Sequence, residues 1–251
     1  MGKFNDKVVW ITGAGTGIGR AVAWMFASEG ATLALIGRRA QVLEGVFDEV
    51  ASKGGKGLPV PLDISNREAV GRAAQNLLSR WGRVDILVNN AGVNIAKRRL
   101  AELSGADFDL LVSVNLTGAF NMIQAVLPSM RKQGSGLIVN VSSQAGITVS
   151  GLSGAAYTAS KHGFNGLSHS VNQEEWRHGI RACALCPGEV NTELMDKRPI
   201  PVPPEDRARM IQPEDMAEAV RFVACMDPRT NITEMRILPT HKRTMKPGET
   251  G

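Results

Sequence analysis

A tyrosine and a lysine stand four residues apart in the segment Tyr157-Thr158-Ala159-Ser160-Lys161. On an α-helix this spacing places both side chains on one face. A free phenol titrates near pH ~10, so acid/base work at neutral pH requires a shift of about three units, or about 4 kcal/mol. A lysine cation about 4 Å away provides an interaction of roughly that size at an effective dielectric constant of about 20. The pair is a candidate acid/base centre, although the same spacing is common on solvated helix faces.

A glycine-rich segment follows the first predicted strand and precedes a helical pattern. Glycines permit a tight turn and a close approach of the backbone to a pyrophosphate, whose charge is favoured at a helix N-terminus. The strand before the segment and the helix after it favour dinucleotide binding over a purely structural turn. The residues of this segment predicted to bind the cofactor are Gly13, Thr16, Gly17, Ile18 and Gly19.

The end of the second predicted strand indicates which dinucleotide is preferred. An acidic residue about 20 residues after the glycines would bind the ribose hydroxyls of NAD. This chain has Gly37 there, followed by Arg38 and Arg39, and two guanidinium groups can hold a 2′-phosphate. A solvated helix start is the alternative, but cations are unfavourable near a helix N-terminus. The predicted cofactor is therefore NADP(H), with NAD(H) as the second choice.

These residues must be positioned by short apolar runs that alternate with helical patterns along the chain. Strands are predicted at residues 8–12, 32–36, 57–61, 84–89, 136–141, 181–186 and 235–238. Helices are predicted near residues 18–29, 40–53, 66–81, 106–132, 155–178 and 214–226. Apolar strands separated by helices indicate a parallel sheet covered on both faces. The predicted fold is α/β, a doubly wound Rossmann-type three-layer sandwich with a seven-stranded parallel sheet.

Length and composition favour one domain. The chain has 251 residues, 43% of them hydrophobic, and neither a linker nor an internal repeat divides it. The single dinucleotide-binding and catalytic domain is predicted at residues 1–240, with a frayed polar tail at 241–251. In segment 190–212, closely spaced prolines disfavour regular structure and suit a mobile lid over a site. These prolines are Pro199, Pro201, Pro203 and Pro204.

Charge, cysteines and hydropathy exclude several classes of protein. The formal charge of +5 suits anionic ligands but is too diffuse to indicate nucleic acid. The sequence shows no apolar run of membrane-spanning length and no signal-peptide pattern, which predicts no membrane partner. Cys183 and Cys186 form a C-x-x-C, but residues three apart on a strand point to opposite faces, so neither a redox pair nor a metal site is predicted. We expect a cytoplasmic, reduced protein.

Six motifs stand in the order and at the spacing of the short-chain dehydrogenase/reductase family. They are the glycine-rich turn after Thr12, Asn89-Asn90-Ala91-Gly92, Asn115, Asn140-Val141-Ser142-Ser143, Tyr157 with Lys161, and Pro187-Gly188. The chain resembles this family from about residue 5 to residue 240. The resemblance implies a nicotinamide-dependent oxidoreductase that interconverts an alcohol and a ketone or aldehyde.

The resemblance also implies roles for four side chains. Tyr157 would be the general acid/base, and Lys161 would lower its pKa and hold the nicotinamide ribose. Ser143 would fix the substrate carbonyl, and Asn115 would hold a water that links Lys161 to solvent. Asn115 could instead only pin a helix, and Ser143 could only end a strand. The family commonly has its serine thirteen residues before the tyrosine, where this chain has Gln144, so we infer a one-residue insertion in the loop 147–156.

The resemblance extends the cofactor site beyond the glycine turn. Asp63 and Ile64 would border the adenine. The segment Asn89 to Gly92 would lie on the adenine-ribose side, with Asn89, Ala91 and Gly92 as the predicted contacts. The residues expected around the nicotinamide are Tyr157, Lys161, Pro187, Gly188, Val190 and Thr192.

Together these features predict an NADP(H)-preferring oxidoreductase that moves a hydride between nicotinamide and a carbonyl carbon while Tyr157 exchanges the proton. The family resemblance implies a homodimer or homotetramer packed through the helices near 106–132 and 155–178. The substrate is expected to be a small carbonyl or alcohol. Lys97, Arg98 and Arg99 could bind its carboxylate or phosphate, or could form only a solvated loop.

The sequence leaves two alternatives from other functional classes. A non-catalytic dinucleotide-binding sensor or regulatory subunit has no need of Tyr157, so the intact Asn/Ser/Tyr/Lys set disfavours it. A nucleic-acid-binding Rossmann-like protein requires a clustered basic face, whereas clustered cations occur only at Lys97–Arg99 and in the tail.

Overall fold

Seven parallel strands form one sheet in the computed structural model, which describes residues 2–241. The strands are β1 (Val8–Thr12), β2 (Thr32–Gly37), β3 (Lys56–Pro61), β4 (Ile86–Asn89), β5 (Gly136–Val141), β6 (Ile180–Pro187) and β7 (Glu234–Ile237). Their order across the sheet is β3-β2-β1-β4-β5-β6-β7. The predicted seven-stranded parallel sheet is confirmed.

Eight α-helices cover the two faces of the sheet in the described part of the chain. They are α1 (Gly17–Ser28), α2 (Ala40–Ala51), α3 (Arg67–Trp81), α4 (Gly105–Val112), α5 (Gly118–Gln133), α6 (Ala155–Glu175), α7 (Pro204–Arg207) and α8 (Pro213–Cys225). Apolar side chains of α1, α2 and α8 build one core, and those of α3, α5 and α6 build the other. Because both faces are covered, the fold is the three-layer α/β sandwich of Rossmann type that the sequence predicted.

The order of the strands creates a crevice beside β1. All five residues of β1 are buried, as expected for a central strand covered on both faces. From β1 the chain moves outward through β2 and β3, and it then returns to the other side of β1 to form β4. In open parallel sheets, ligands bind at such a reversal, beyond the carboxyl ends of the strands. The ends of β1 and β4 therefore locate the site.

The helix predicted near 106–132 is present and contains a π-helical insertion. It consists of α4, a π-helical segment at Ser113–Thr117, and α5. Asn115 lies in the π-helical segment, and its side chain exchanges two hydrogen bonds with the backbone of Val93 in the loop after β4. A π-helical turn inserts one extra residue into a helix and often marks a functional position. Helical periodicity in the sequence does not reveal such an insertion.

The proline-rich segment 190–212 contains more regular structure than predicted. It includes a 3₁₀ turn at Glu193–Lys197 and the short helix α7, which begins at a proline because proline is compatible with the first helical turn. Arg207 ties the segment together by donating to the side chain of Asn191 and to the carbonyl of Thr192, at 2.9 and 2.8 Å. The mobility of this segment stays a prediction.

The sequence predicted no segment that could span a membrane, but Gly105–Gln133 is a candidate. By length and composition alone it is long and apolar enough, with a mean hydropathy of 1.6 over its most apolar window. Half of that window is buried inside the protein, as in the core helix of a soluble protein, so the match is weak support for a membrane span. The predicted tail at 241–251 lies, apart from His241, outside the described residues.

Candidate active site

A cleft of about 630 Å³ opens at the carboxyl ends of the central strands. This volume is typical of a site for a small molecule or cofactor. One end is formed by the glycine-rich turn after β1 and by the end of β2, and the other by residues after β4, β5 and β6. The cleft is therefore a single furrow that joins the predicted cofactor residues to the predicted catalytic residues.

The glycine-rich turn has the backbone that a phosphate site needs. Gly13 and Gly17 have positive φ angles of 66° and 49°, which residues with a side chain rarely adopt. A Cβ on Gly13 would lie 2.9 Å from the Cα of Ala91, so only glycine fits here. Helix α1 begins after Thr16 with no side-chain cap and no acidic residue in its first turn. Its free N–H groups and the positive end of its dipole fit a pyrophosphate.

Gly19 contributes to packing rather than to the lining of the cleft. A Cβ there would lie 2.1 Å from the carbonyl oxygen of Gly13, so its missing side chain lets α1 pack onto the turn. The neighbouring Asn90 holds the turn from the other side, because its amide donates to the carbonyls of Thr12 and Gly13 at 3.1 and 3.2 Å. The predicted cofactor contacts did not include Asn90, although it stands within the Asn-Asn-Ala-Gly motif.

The side chain of Asn89 does not line the cleft, so its contact with the cofactor stays a prediction. Its side chain is 2% exposed and donates to Asn140 across β4 and β5 at 3.1 Å. Asn89 is the last residue of β4, and its side chain is used to join two strands instead of facing the cleft. Ala91 and Gly92 do line the cleft, as predicted.

The end of β2 presents a positively charged rim. Arg38 and Arg39 are exposed, line the cleft and immediately precede α2. Across the same end, Asp63 and Ile64 follow β3 and also line it. The Asp63 carboxylate accepts from the Ser65 hydroxyl at 2.7 Å, and this hydrogen bond together with the charge of Arg38 lowers its pKa. Because the Asp63 carboxylate is hydrogen-bonded to Ser65, the exposed guanidinium groups of Arg38 and Arg39 can bind an anion beside the adenine position.

Tyr157 and Lys161 lie one turn apart on α6 and both face the cleft. The Lys161 ammonium is 5.7 Å from the centroid of the Tyr157 ring and 5.0 Å from that of Phe164. It donates to the carbonyl of Val141 at 3.0 Å. The side chain is almost fully buried, and this burial lowers the pKa of Lys161 to about 8. The Lys161 ammonium therefore loses its proton more readily than the sequence argument assumed.

The pKa of Tyr157 is raised, chiefly because burial disfavours the phenolate. A hydrogen bond with Ser143 and the positive charge of Arg98 oppose this effect. The sequence argument assigned the opposing charge to Lys161, and the structure adds the guanidinium of Arg98. The reason is tertiary, since Arg98 comes from the loop after β4 and no spacing along α6 reveals it.

The contacts of Ser143 and Gln144 show which of the two lies beside the Tyr157 phenol and is free to bind a substrate oxygen. Ser143 is close enough to the Tyr157 phenol to lower its pKa, and its hydroxyl accepts from the amide of Ala145 at 3.1 Å. The Gln144 amide donates to Thr148 at 2.8 Å and accepts from Arg236 at 2.7 Å, so its polar atoms are already engaged. Ser143 is the hydroxyl placed beside the phenol.

Asn115 lies behind the cleft wall rather than in it. It is fully buried, and its amide nitrogen donates to the carbonyl of Val93 and to the Ser160 hydroxyl at 3.0 and 3.2 Å. Its side-chain oxygen accepts from the amide of Val93 at 2.8 Å. These bonds give Asn115 the helix-pinning role that was the alternative in the sequence, and its part in a water relay stays a prediction.

The far end of the cleft is formed by the residues after β6. Pro187, Gly188, Val190 and Thr192 all line it, as expected for the nicotinamide end. Thr192 also reaches the glycine turn, because a Cβ on Gly17 would lie 2.9 Å from its methyl group. The segment after β6 thus closes over the furrow from the nicotinamide end to the phosphate end.

Three buried or half-buried charged side chains line the cleft, and of these the sequence suggested a binding role only for Arg98. Arg98 is 6% exposed, and the Arg198 guanidinium pairs with Glu189 at 2.5 Å. Lys97 and Arg99 are both exposed. Of the basic run at 97–99, the structure therefore brings only Arg98 into the cleft wall.

Comparison with known proteins agrees with this geometry. A 3beta-hydroxysteroid dehydrogenase of Mediterraneibacter gnavus is 38% identical over 198 residues, covering 78% of this chain and 71% of that protein. The crystal structure of a metagenomic short-chain oxidoreductase in complex with NADP is 34% identical, with a TM-score of 0.82, and covers 95% of this chain and 99% of that one. A short chain dehydrogenase from Mycobacterium paratuberculosis bound to NAD is 27% identical, with a TM-score of 0.82, over 94% of this chain and 97% of that one.

The sequence model of one family matches most of the chain. Its description is short chain dehydrogenase, and the match covers residues 7–200. That span contains the glycine turn, the Asn-Asn-Ala-Gly motif, Ser143, Tyr157 and Lys161. The chain is an oxidoreductase that belongs to the short-chain dehydrogenase family.

Proposed function

We propose that this protein is an NADP(H)-preferring oxidoreductase that interconverts an alcohol and a ketone or aldehyde, with Tyr157 as the general acid/base. The observation that carries the proposal is that Ser143, Tyr157 and Lys161 line one end of a furrow that continues to the glycine turn. A phenol and a hydroxyl at one point can together bind one substrate oxygen.

The residues present fit a nicotinamide dinucleotide at each point of the furrow. The free N-terminus of α1 and the glycine turn would hold the pyrophosphate, and Asp63 and Ile64 would border the adenine. When bound, the dinucleotide supplies or accepts the hydride. In the direction of reduction, Ser143 donates a hydrogen bond to the substrate oxygen, and Tyr157 gives that oxygen its proton. Lys161, buried in the same wall with its ammonium 5.7 Å from the centroid of the Tyr157 ring, would contact the ribose.

The experiment that tests this function is a screen of ketones, aldehydes and alcohols with NADPH or NADP⁺, followed by nicotinamide absorbance. We expect turnover of at least one carbonyl, and its loss in a Tyr157→Phe variant. Tight binding of the dinucleotide without turnover across a broad panel would instead favour a sensor or regulatory subunit.

The preference for NADP(H) is tested by removing both rim cations. The double substitution Arg38→Ala and Arg39→Ala should weaken NADPH binding far more than NADH binding, because a charge-assisted contact contributes about 1.5–3 kcal/mol. Dissociation constants of both cofactors for both proteins provide the measurement. Lys97→Ala is the matched control, since it removes an exposed cation outside the cleft. If the unmodified protein binds NADH as tightly as NADPH, the proposed preference is wrong.

The proposal includes a homodimer or homotetramer formed by one domain of residues 1–240 in the cytoplasm. A shallow groove between α5 and α6 supports the packing of subunits through these helices, since it combines Leu116, Phe120 and Leu167 with glycines. Gly166 is open to solvent and would let a neighbouring helix approach closely. The three cysteines are free thiols, which suits a reducing compartment.

A further inference from the structure

Arg98 is a buried cation without a carboxylate partner among residues 2–241. The residue is 6% exposed, yet it lines the cleft. It donates to two backbone carbonyls, those of Leu152 at 3.0 Å and Lys197 at 2.8 Å. A guanidinium has five N–H donors, so three remain, and Nε has no hydrogen-bond partner in the described part of the chain. Buried cations are normally paired with an anion.

The loops around Arg98 hold it firmly in this position. Gly154 has a φ of 80°, and a Cβ there would lie 2.6 Å from the Cβ of Arg98, so glycine lets the loop before α6 pack directly on this residue. Asn94 adds a hydrogen bond to the carbonyl of Ser153 at 3.1 Å. Arg98 thus joins the loop after β4, the loop before α6 and the 3₁₀ turn after β6. A position built by three segments is preorganised for a ligand.

The electrostatics of this corner favour an anion. The charges that act most strongly on Arg98 are those of Arg198, which is repulsive, and of the Tyr157 phenolate. Arg198 is itself paired with Glu189. The remaining charge is that of Arg98, close to the phenol that would receive or donate the substrate proton. A planar guanidinium with free donors matches the geometry of a carboxylate.

From this arrangement we propose that Arg98 binds a carboxylate of the substrate, so that the enzyme acts on oxo acids and the corresponding hydroxy acids. The inference rests on the proposed function, because it places the carboxylate relative to Tyr157. Arg98 is a specificity residue in this scheme. The main competing role is electrostatic: Arg98 could act only by favouring the phenolate of Tyr157, whatever the substrate.

A comparison of matched substrates separates these roles. Reduction of four- and five-carbon 2-, 3- and 4-oxo acids by NADPH is compared with reduction of their methyl esters, which lack the charge. We expect the unmodified protein to have a higher kcat/KM for at least one acid than for its ester. In Arg98→Met the ratio of acid to ester should fall by about 10- to 100-fold, as loss of a charge-assisted contact implies.

Two control variants test whether a change in the acid-to-ester ratio is due to the guanidinium of Arg98. Lys97→Met removes a cation one residue away that is exposed and outside the cleft, and it should leave the ratio unchanged. Arg98→Lys keeps the charge without the fork and should restore part of the preference. Activity on the esters shows that the variants are folded. A fall in acid and ester activity by the same factor, with both pH profiles shifted, would assign Arg98 to tuning Tyr157 and overturn the carboxylate site.

A binding measurement tests the carboxylate site even if the proposed oxidoreductase function is wrong. If the protein reduces none of these carbonyls, calorimetric titration of the NADP⁺ complex with butanoate and with butanamide still tests the site. We expect butanoate to bind more tightly than butanamide, and this difference to vanish in Arg98→Met. Equal binding of the two compounds to the unmodified protein would overturn the proposal.

Discussion

Replacing Tyr157 with phenylalanine should lower kcat by about two to four orders of magnitude, the usual contribution of a general acid/base. Phenylalanine keeps the ring, which packs on α6 near the Lys161 ammonium, and removes only the hydroxyl that meets Ser143. Cofactor affinity should stay close to that of the unmodified protein, because the phosphate and adenine positions lie at the other end of the furrow. Steady-state rates and a dissociation constant for NADPH measure the two quantities.

Ser143→Ala is the matched control for this experiment. It removes the second hydroxyl at the same point and leaves the phenol in place, so we expect a smaller loss of kcat than in Tyr157→Phe. The melting temperatures of both variants should match that of the unmodified protein. Turnover near the original level in Tyr157→Phe would show that the phenol takes no part in the chemistry.

Removing the charge of Lys161 should change both the pH profile and the cofactor affinity. A nearby cation favours the phenolate, so Lys161→Met should lower the phenolate fraction of Tyr157, and with it the alcohol-oxidation rate, in the pH range where Lys161 is charged. Because burial lowers the pKa of Lys161 to about 8, its cation is present below that pH and is lost above it. The two profiles should therefore differ most below pH about 8. The expected contact to the ribose implies weaker NADP⁺ binding, by about tenfold or more.

Asn115→Ala provides a comparison for Lys161→Met. Asn115 is predicted to hold a relay water and contacts the backbone of Val93 from behind the wall, so its loss should slow proton delivery with a smaller effect on cofactor binding. The readout is the oxidation rate across pH for each variant. An unchanged profile and unchanged cofactor affinity in Lys161→Met would reduce Lys161 to a helix residue without a role in the reaction.

The sheet was predictable because its signals are local. Each buried strand is a short apolar run, and the turn after β1 needs glycine at positions whose φ is positive. The π-helical segment at Ser113–Thr117 was not predictable, since its extra residue responds to a contact with Val93 from another segment. The same limit applies to α7, where a proline-rich composition hides a short helix that starts on a proline.

The site was predictable where a motif fixes both the residue type and its direction. The spacing of Tyr157 and Lys161 on one helix correctly placed both on the cleft. Asn89 and Asn90 are adjacent in one motif, yet one joins two strands while the other supports the glycine turn, and residue type alone does not distinguish them. Arg98 was one of three consecutive basic residues, and only the packing of distant loops onto it selects it from its neighbours.

The position of Tyr157 has an optical consequence, because it is the one tyrosine in the 251 residues. Ionisation of a phenol changes its near-ultraviolet absorption, so any tyrosinate signal of the folded protein comes from the proposed acid/base group. Biosynthetic labelling of tyrosine with carbon-13 would likewise give one ring resonance per chain. Since burial raises the pKa of this phenol while Ser143 and Arg98 oppose the rise, that single signal would report directly on the balance between a buried ring and its two polar neighbours.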